Sequence, residues 1–247
     1  MSFFVGFLSK LKFSFKKYWV CEQGYESRNP QHKKMKPSVP KKNKSWQDHY
    51  TLRAKKERYP ARSVYKLQEI QQKHHLIKKG HKILDLGCSP GSWLIYAARL
   101  TTDKGRVIGI DLKPVKIQVP SQVKIITADV FSLDVESLGT DFNVVLSDMA
   151  PDTTGHKAVD AARSFNLCET ALSIAQKVLL PGGHFICKIF QGHDFKQFQE
   201  TVKAAFHEQK VFKPRSSRKA SKEIYILGIN FKGNSSPIEQ HQLAVIT

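Results

Sequence analysis

From about Trp46 onward, apolar residues fall in short, regularly spaced groups. Residues 60–79 (PARSVYKLQEIQQKHHLIKK) place Val64, Leu67, Ile70 and His74 three or four apart, which predicts a helix. Strand-like and helix-like segments then alternate. KILDL (82–86) predicts a strand, and 92–100 a helix. RVIGID (106–111), VKIIT (123–127) and FNVVLS (142–147) predict three further strands. Residues 159–180 form a long helical pattern carrying Ala162, Phe165, Leu172, Ala175 and Leu179. After a Pro-Gly-Gly turn, HFICKIF (184–190) predicts a strand, 194–208 a helix, and EIYILGINF (223–231) a last strand. Such alternation with short connections predicts an α/β domain: a parallel sheet covered by helices on both faces.

One position breaks the pattern. Lys188 stands inside the apolar strand HFICKIF. Lysine is almost never fully buried unless it is paired. A lysine there needs a reason, structural or chemical.

Charge changes the picture next. The formal net charge is +19 over 247 residues, and it is unevenly placed. Residues 1–58 hold 15 Lys/Arg against 4 Asp/Glu, and residues 203–222 hold 7 against 1. Two basic segments flanking a nearly neutral body predict a polyanionic partner, nucleic acid first. A merely solubilising Lys-rich surface would not cluster in this way. Four scattered cysteines, Cys21, Cys88, Cys168 and Cys187, give neither a disulfide framework nor a zinc site, so no metal is expected. No stretch approaches the ~18 apolar residues of a membrane span. The chain is expected to divide into a basic, flexible extension (1–45), an α/β domain (46–233) and a tail (234–247). The expected location is cytoplasmic. Residues 1–20 leave a mitochondrial alternative, though their lack of arginine speaks against a transit peptide.

The first strand runs into Asp85-Leu86-Gly87-Cys88-Ser89-Pro90-Gly91-Ser92-Trp93. Glycines let backbone approach a ligand, and a helix start offers free N–H groups. The spacing G-x-x-x-G fits neither the dinucleotide fingerprint nor the P-loop. Gly87, Ser89 and Gly91 are therefore candidate contacts to a different nucleotide-like cofactor; an ordinary turn is the plain alternative. Three successive strands end in Asp111, Asp129 and Asp148. Singly, each suits a turn or helix cap. Together they line one sheet edge with acceptors, suited to a ligand with hydroxyls, an amine and positive charge, such as S-adenosylmethionine.

DLGCSPGSW, SDMAP, CKIFQG and SKEIYILG, in this order, resemble the FtsJ-like (RrmJ-type) family of ribosomal RNA 2′-O-ribose methyltransferases. The likeness spans about Trp46 to Phe231. It implies a Rossmann-like methyltransferase sheet of seven strands, mostly parallel, the last one antiparallel. It implies S-adenosylmethionine as methyl donor, with Gly91, Trp93, Asp111 and Asp129 touching it. It implies a Lys-Asp-Lys-Glu tetrad at Lys66, Asp148, Lys188 and Glu223, with Asp148 between donor and acceptor. It also implies action on large-subunit ribosomal RNA, at a uridine, with transfer RNA or another RNA as the alternative substrate, since relatives with the same tetrad act on those. A monomer is expected. Ser92 departs from the Gly-Gly-Trp many relatives carry. Without the likeness, Lys66 reads as a solvated helix lysine, Glu223 as a surface strand start and Trp93 as core.

The implied reaction is attack of a ribose 2′-hydroxyl on a sulfonium methyl. The enzyme must align the oxygen and manage one proton; alignment alone can supply several kcal/mol. A lysine acts as base only when neutral, and burial or a neighbouring cation favours that form. Lys188 is thus either the proton acceptor or a charged group that orients the hydroxyl. A nicotinamide-dependent oxidoreductase fits less well, because the loop spacing is wrong. A non-catalytic RNA-binding module fits less well, because all four tetrad positions hold the expected residue.

RNA affinity should fall steeply with salt, and deleting residues 1–45 should flatten the slope of log K against log salt. An unchanged slope would exclude the extension as an RNA contact.

Overall fold

The structure is a computed structural model that describes residues 49–218 and 221–234. The extension 1–45 and the tail beyond 234 lie outside the described residues. The elements are α1 (His49–Lys56), α2 (Val64–His74), β1 (Lys82–Leu86), α3 (Ser92–Thr101), β2 (Arg106–Asp111), β3 (Val123–Thr127), β4 (Phe142–Ser147), α4 (Lys157–Val178), β5 (Leu179–Phe190), α5 (Phe195–Ala205), β6 (Phe206–Phe212) and β7 (Glu223–Phe231). They build one seven-stranded sheet in the order β3-β2-β1-β4-β5-β7-β6. Strands β1 to β5 pair in parallel, and β7 inserts antiparallel between β5 and β6. Among the described residues, no helix is long and apolar enough to cross a membrane.

The sheet is covered on both faces, as the βα alternation predicts. Successive strand side chains point to opposite faces, and the two cores divide accordingly. Leu84, Leu86, Val145, Phe185, Cys187, Ile189, Ile224 and Ile226 pack against α4 and α5. Ile83, Val144, Leu146, Ile186, Tyr225 and Leu227 pack against α2 and α3. By the same alternation Asp85 shares the face of Ile83, and Lys188 that of Ile186. Glu223 shares the face of Tyr225. The charged positions inside these strands therefore all project toward α2 and α3.

The structure departs from the sequence pattern at three places. The segment 206–208, expected to be helix, opens β6. Phe206 is buried, with its ring 6.1 Å from Phe185 and 5.4 Å from Phe231. That packing fixes it as the partner of Phe231 and stops the helix there. The resulting strand is a polar edge, which discourages pairing with another chain. Second, β5 starts at Leu179 rather than His184. Leu179 pairs with Phe142 and His184 with Val144, so residues 180–183 bulge out opposite Asn143 alone. Third, α4 buries Ser164, Cys168, Ala171, Leu172, Ala175 and Val178, whereas Ala162 is exposed. α1 has no counterpart in the sequence reading. Only Ala54 of that helix is buried, so it lacks the apolar stripe by which periodicity is read.

At the far edge of the sheet, His184 accepts a hydrogen bond from the Asn230 N–H at 3.3 Å. Burial, then His81 and Lys78, push its imidazole down from 6.5 to about 4. A folded value below the unfolded one means stability that is full above pH 6.5 and lost as pH falls toward about 4. His184→Gln should flatten this decline. Urea midpoints at about pH 7.5 and about pH 5 should differ less for the variant than for the wild type.

Candidate active site

The glycine loop is set by backbone geometry. Gly87 has φ +78°, and a Cβ there would stand 2.6 Å from Met149 Cγ. Gly91 has φ +105° at the start of α3. Ser89 N–H donates to Asp111 Oδ2 at 2.8 Å, and Lys113 N–H to Asp111 Oδ1 at 2.7 Å. The loop is thus tied to the end of β2. Gly87, Ser89, Asp111, Asp129 and Asp148 line one crevice of about 450 Å³. Gly91 and Trp93 do not line it. The Trp93 indole is turned inward, donating to Ser63 O at 2.9 Å with its ring 5.9 Å from that of Tyr225.

Leu112 and Phe131 also border this crevice, at 69% and 62% exposure. Large apolar side chains left this open suit a flat aromatic ring between them. Beneath the loop, Asp85 is fully buried, and neither carboxylate oxygen has a hydrogen-bond partner. Burial, reinforced by Asp148 and Asp111, pushes its carboxyl well above the usual range. Apolar borders, acceptors from three strand ends and an unpartnered buried acid fit a cationic nucleoside ligand such as S-adenosylmethionine.

The four tetrad positions meet beside this crevice as two ion pairs. Lys188 Nζ lies 3.1 Å from Asp148 Oδ1 and donates to the Asp148 carbonyl oxygen at 2.5 Å. Lys66 Nζ lies 2.5 Å from Glu223 Oε1. Lys188 is 6% exposed, so its place in an apolar strand is explained by a partner. Tyr225, opposite Lys188 in the β5–β7 register, donates its hydroxyl to Asp148 Oδ1 at 2.6 Å. Burial pushes the Asp148 carboxyl up, but Lys188, Lys66 and the Tyr225 hydroxyl outweigh it and hold the group below its ordinary value. Burial, then Asp148 and Glu223, push the Tyr225 phenol well above its ordinary value. It stays a donor.

A second pocket of about 480 Å³ opens where Lys66 and Glu223 stand, bordered by Arg62, Ser216, Arg218 and Ser221. Asp148 thus borders the first crevice, and Lys66 and Glu223 the second, with Lys188 paired to Asp148 between them. The loop over the second pocket is pinned. Arg215 and Ser216 N–H groups donate to the two Glu69 oxygens at 2.7 and 2.8 Å. The Arg62 guanidinium donates to Ser216 O. Lys213 Nζ donates to Ser221 O at 2.6 Å and Glu223 O at 2.7 Å. Ser217 donates its hydroxyl to Glu223 Oε1 at 3.0 Å.

Comparison with known proteins decides the family: residues 59–231 match FtsJ-like methyltransferase. The chain belongs to the FtsJ-like methyltransferase family. It is 57% identical over 196 residues to the Ribosomal RNA large subunit methyltransferase E of Desulforapulum autotrophicum, covering 78% of this chain and 96% of that one. It is 45% identical over 191 residues to the protein of that name from Bdellovibrio bacteriovorus, covering 75% and 97%. A solved structure described as a ribosomal RNA methyltransferase from Plasmodium falciparum aligns at 28% identity and TM-score 0.64, covering 71% of this chain and all of that one. The FtsJ-like sheet, mostly parallel with its last strand antiparallel, is the one seen here.

Sequence reasoning missed Tyr225, Asp85, Leu112 and Phe131. Tyr225 stands two residues after Glu223, hence on the same strand face. Asp85 is a charge inside an apolar strand, the signal that marked Lys188. Leu112 and Phe131 carry no such signal, since an exposed apolar residue after a strand is common.

Because its folded value is raised, Asp85 subtracts stability as pH rises above about 3.8. Asp85→Asn should raise the Tm of the ligand-free FtsJ-like domain at neutral pH by several °C, roughly 2–4 °C per kcal/mol. The gain should fade toward about pH 4, as read by calorimetry across pH.

Proposed function

We propose that the protein transfers the methyl group of S-adenosylmethionine to a ribose 2′-hydroxyl, at a uridine of large-subunit ribosomal RNA. One observation carries the reading: two Lys–carboxylate pairs stand at the junction of an aspartate-rich crevice and a basic pocket. The names of the relatives support ribosomal RNA as substrate, and the basic loop 213–222 supports a phosphate-bearing one. Such a substrate puts the enzyme where ribosomes are made.

S-adenosylmethionine, when bound, supplies a methyl group on a sulfonium, already activated for displacement. The chain's own residues do the rest. Asp111 would hold the ribose hydroxyls of the donor, and Leu112 and Phe131 would hold its base. Arg62, Arg218 and Ser216 bring the acceptor strand into the basic pocket. Lys66 and Glu223, fixed on each other, set the acceptor ribose against Asp148. Lys188, once its ammonium has given up a proton to solvent, takes the 2′-hydroxyl proton on Nζ, and as an ammonium it returns to the Asp148 oxygens. Tyr225 shares the Asp148 Oδ1 atom with Lys188, so this carboxylate does not hold the lysine alone. Ordered alignment and one positioned base supply the barrier reduction; proton transfer by such a group is worth ~10²–10⁴-fold.

Lys188→Ala should cut methyl transfer to ribosomal RNA by roughly a thousandfold while the affinity for S-adenosylmethionine stays within a few-fold. Single-turnover rates and donor titration calorimetry read the two separately. Wild-type rates in the variant would remove Lys188 from the mechanism.

A further inference from the structure

We infer that a groove beside the acceptor pocket binds the nucleotides flanking the target ribose, by stacking and phosphate contact. The inference rests on the reading of the substrate as RNA. The groove, about 650 Å³, has α2 as its floor and α1 and the end of β6 as its walls. That volume lies in the range of ligand sites, ~300–1,000 Å³.

Its lining pairs cations with aromatic rings. The Arg53 guanidinium lies 4.6 Å from the Tyr65 ring centre, and Lys73 Nζ 5.4 Å from that of Phe212. Tyr50, Lys213 and Arg215 complete it. Aromatic faces and guanidinium planes are the surfaces on which unpaired bases stack, and lysines beside them meet the phosphates. Tyr65 is buried, so here those surfaces are the Arg53 plane that covers it and the half-buried rings of Tyr50 and Phe212. One acid lines the groove, Glu69, and both of its oxygens already accept the Arg215 and Ser216 N–H groups. Arg53 is shared with Glu57 at 2.7 Å. The balance stays positive.

Continuity with the acceptor pocket fixes the occupant. On α2, Tyr65 lines the groove and Lys66 the acceptor pocket. On the loop, Arg215 lines the groove and Ser216 the acceptor pocket. The two cavities thus meet at single-residue steps on two separate segments. A strand whose ribose sits at Lys66 and Glu223 continues into the groove with its neighbouring nucleotide. Single-stranded RNA has the alternation of flat bases and phosphates that this lining matches.

The test uses the full chain, tritiated S-adenosylmethionine and large ribosomal subunits from cells lacking the gene. Lys73→Glu should raise KM for subunits roughly tenfold with kcat within twofold, and Lys73→Arg should behave as wild type. In parallel, a 4-thiouridine-bearing oligouridylate of roughly twelve nucleotides should photocrosslink to peptides containing Tyr50 or Phe212. An unchanged KM in an active Lys73→Glu enzyme overturns the inference, as does a loss confined to kcat. Crosslinks elsewhere, or to a ribosomal protein at this groove, overturn it too. A wild-type enzyme that methylates no ribosomal RNA would instead fail the reading of function, and the crosslink would still decide whether the groove holds RNA.

Discussion

The direction of β7 is the constraint on which the acceptor side depends. Parallel strands β1 to β5 all bring their carboxyl ends to one edge, where Asp111 and Asp148 emerge. An antiparallel strand brings its amino end to that edge instead. Glu223 is the first residue of β7, paired with Phe190, and Tyr225 pairs with Lys188. The reversal is what lets a glutamate and a tyrosine from late in the chain join groups from β4 and β5. The loop before β7 arrives at the same place, carrying its basic residues.

Within that frame the charges are unequally matched. Lys66 with Glu223 and Lys188 with Asp148 form two pairs of low exposure. Pairs taken out of water rarely add stability on balance, because desolvation consumes most of the attraction. Their presence is better explained by chemistry than by folding. Asp85 is the sharper case, because it has no partner at all among the described residues. A fold that tolerates an unpartnered acid directly beneath the glycine loop gives up stability next to its candidate site, the familiar trade between stability and function.

Much of this was legible in the chain. A lysine inside HFICKIF cannot be bland, and it proves to be nine-tenths buried and paired. Aspartates at three strand ends do share one edge. The strand limits of β1 to β4 follow from apolar runs bounded by turn residues. What the sequence hid was decided by contacts between distant residues. Phe206 leaves the helical register because Phe185 and Phe231 hold its ring. Trp93 faces the core because Ser63 offers a carbonyl there. Tyr225 reaches Asp148 only through a register that no local pattern states.

The clasp of Glu69 on the loop also bears on how the molecule is assembled. Its bonds to Arg215 and Ser216 span 146 and 147 residues, and the Arg62 bond to Ser216 spans 154. The donor crevice is bordered by residues 87–167 alone. During synthesis, then, the residues that border this crevice emerge well before Arg215 and Ser216, which Glu69 clasps over the second pocket. Closing such long loops is slow, so the loop over the second pocket settles only once residues from both ends of the domain have been made.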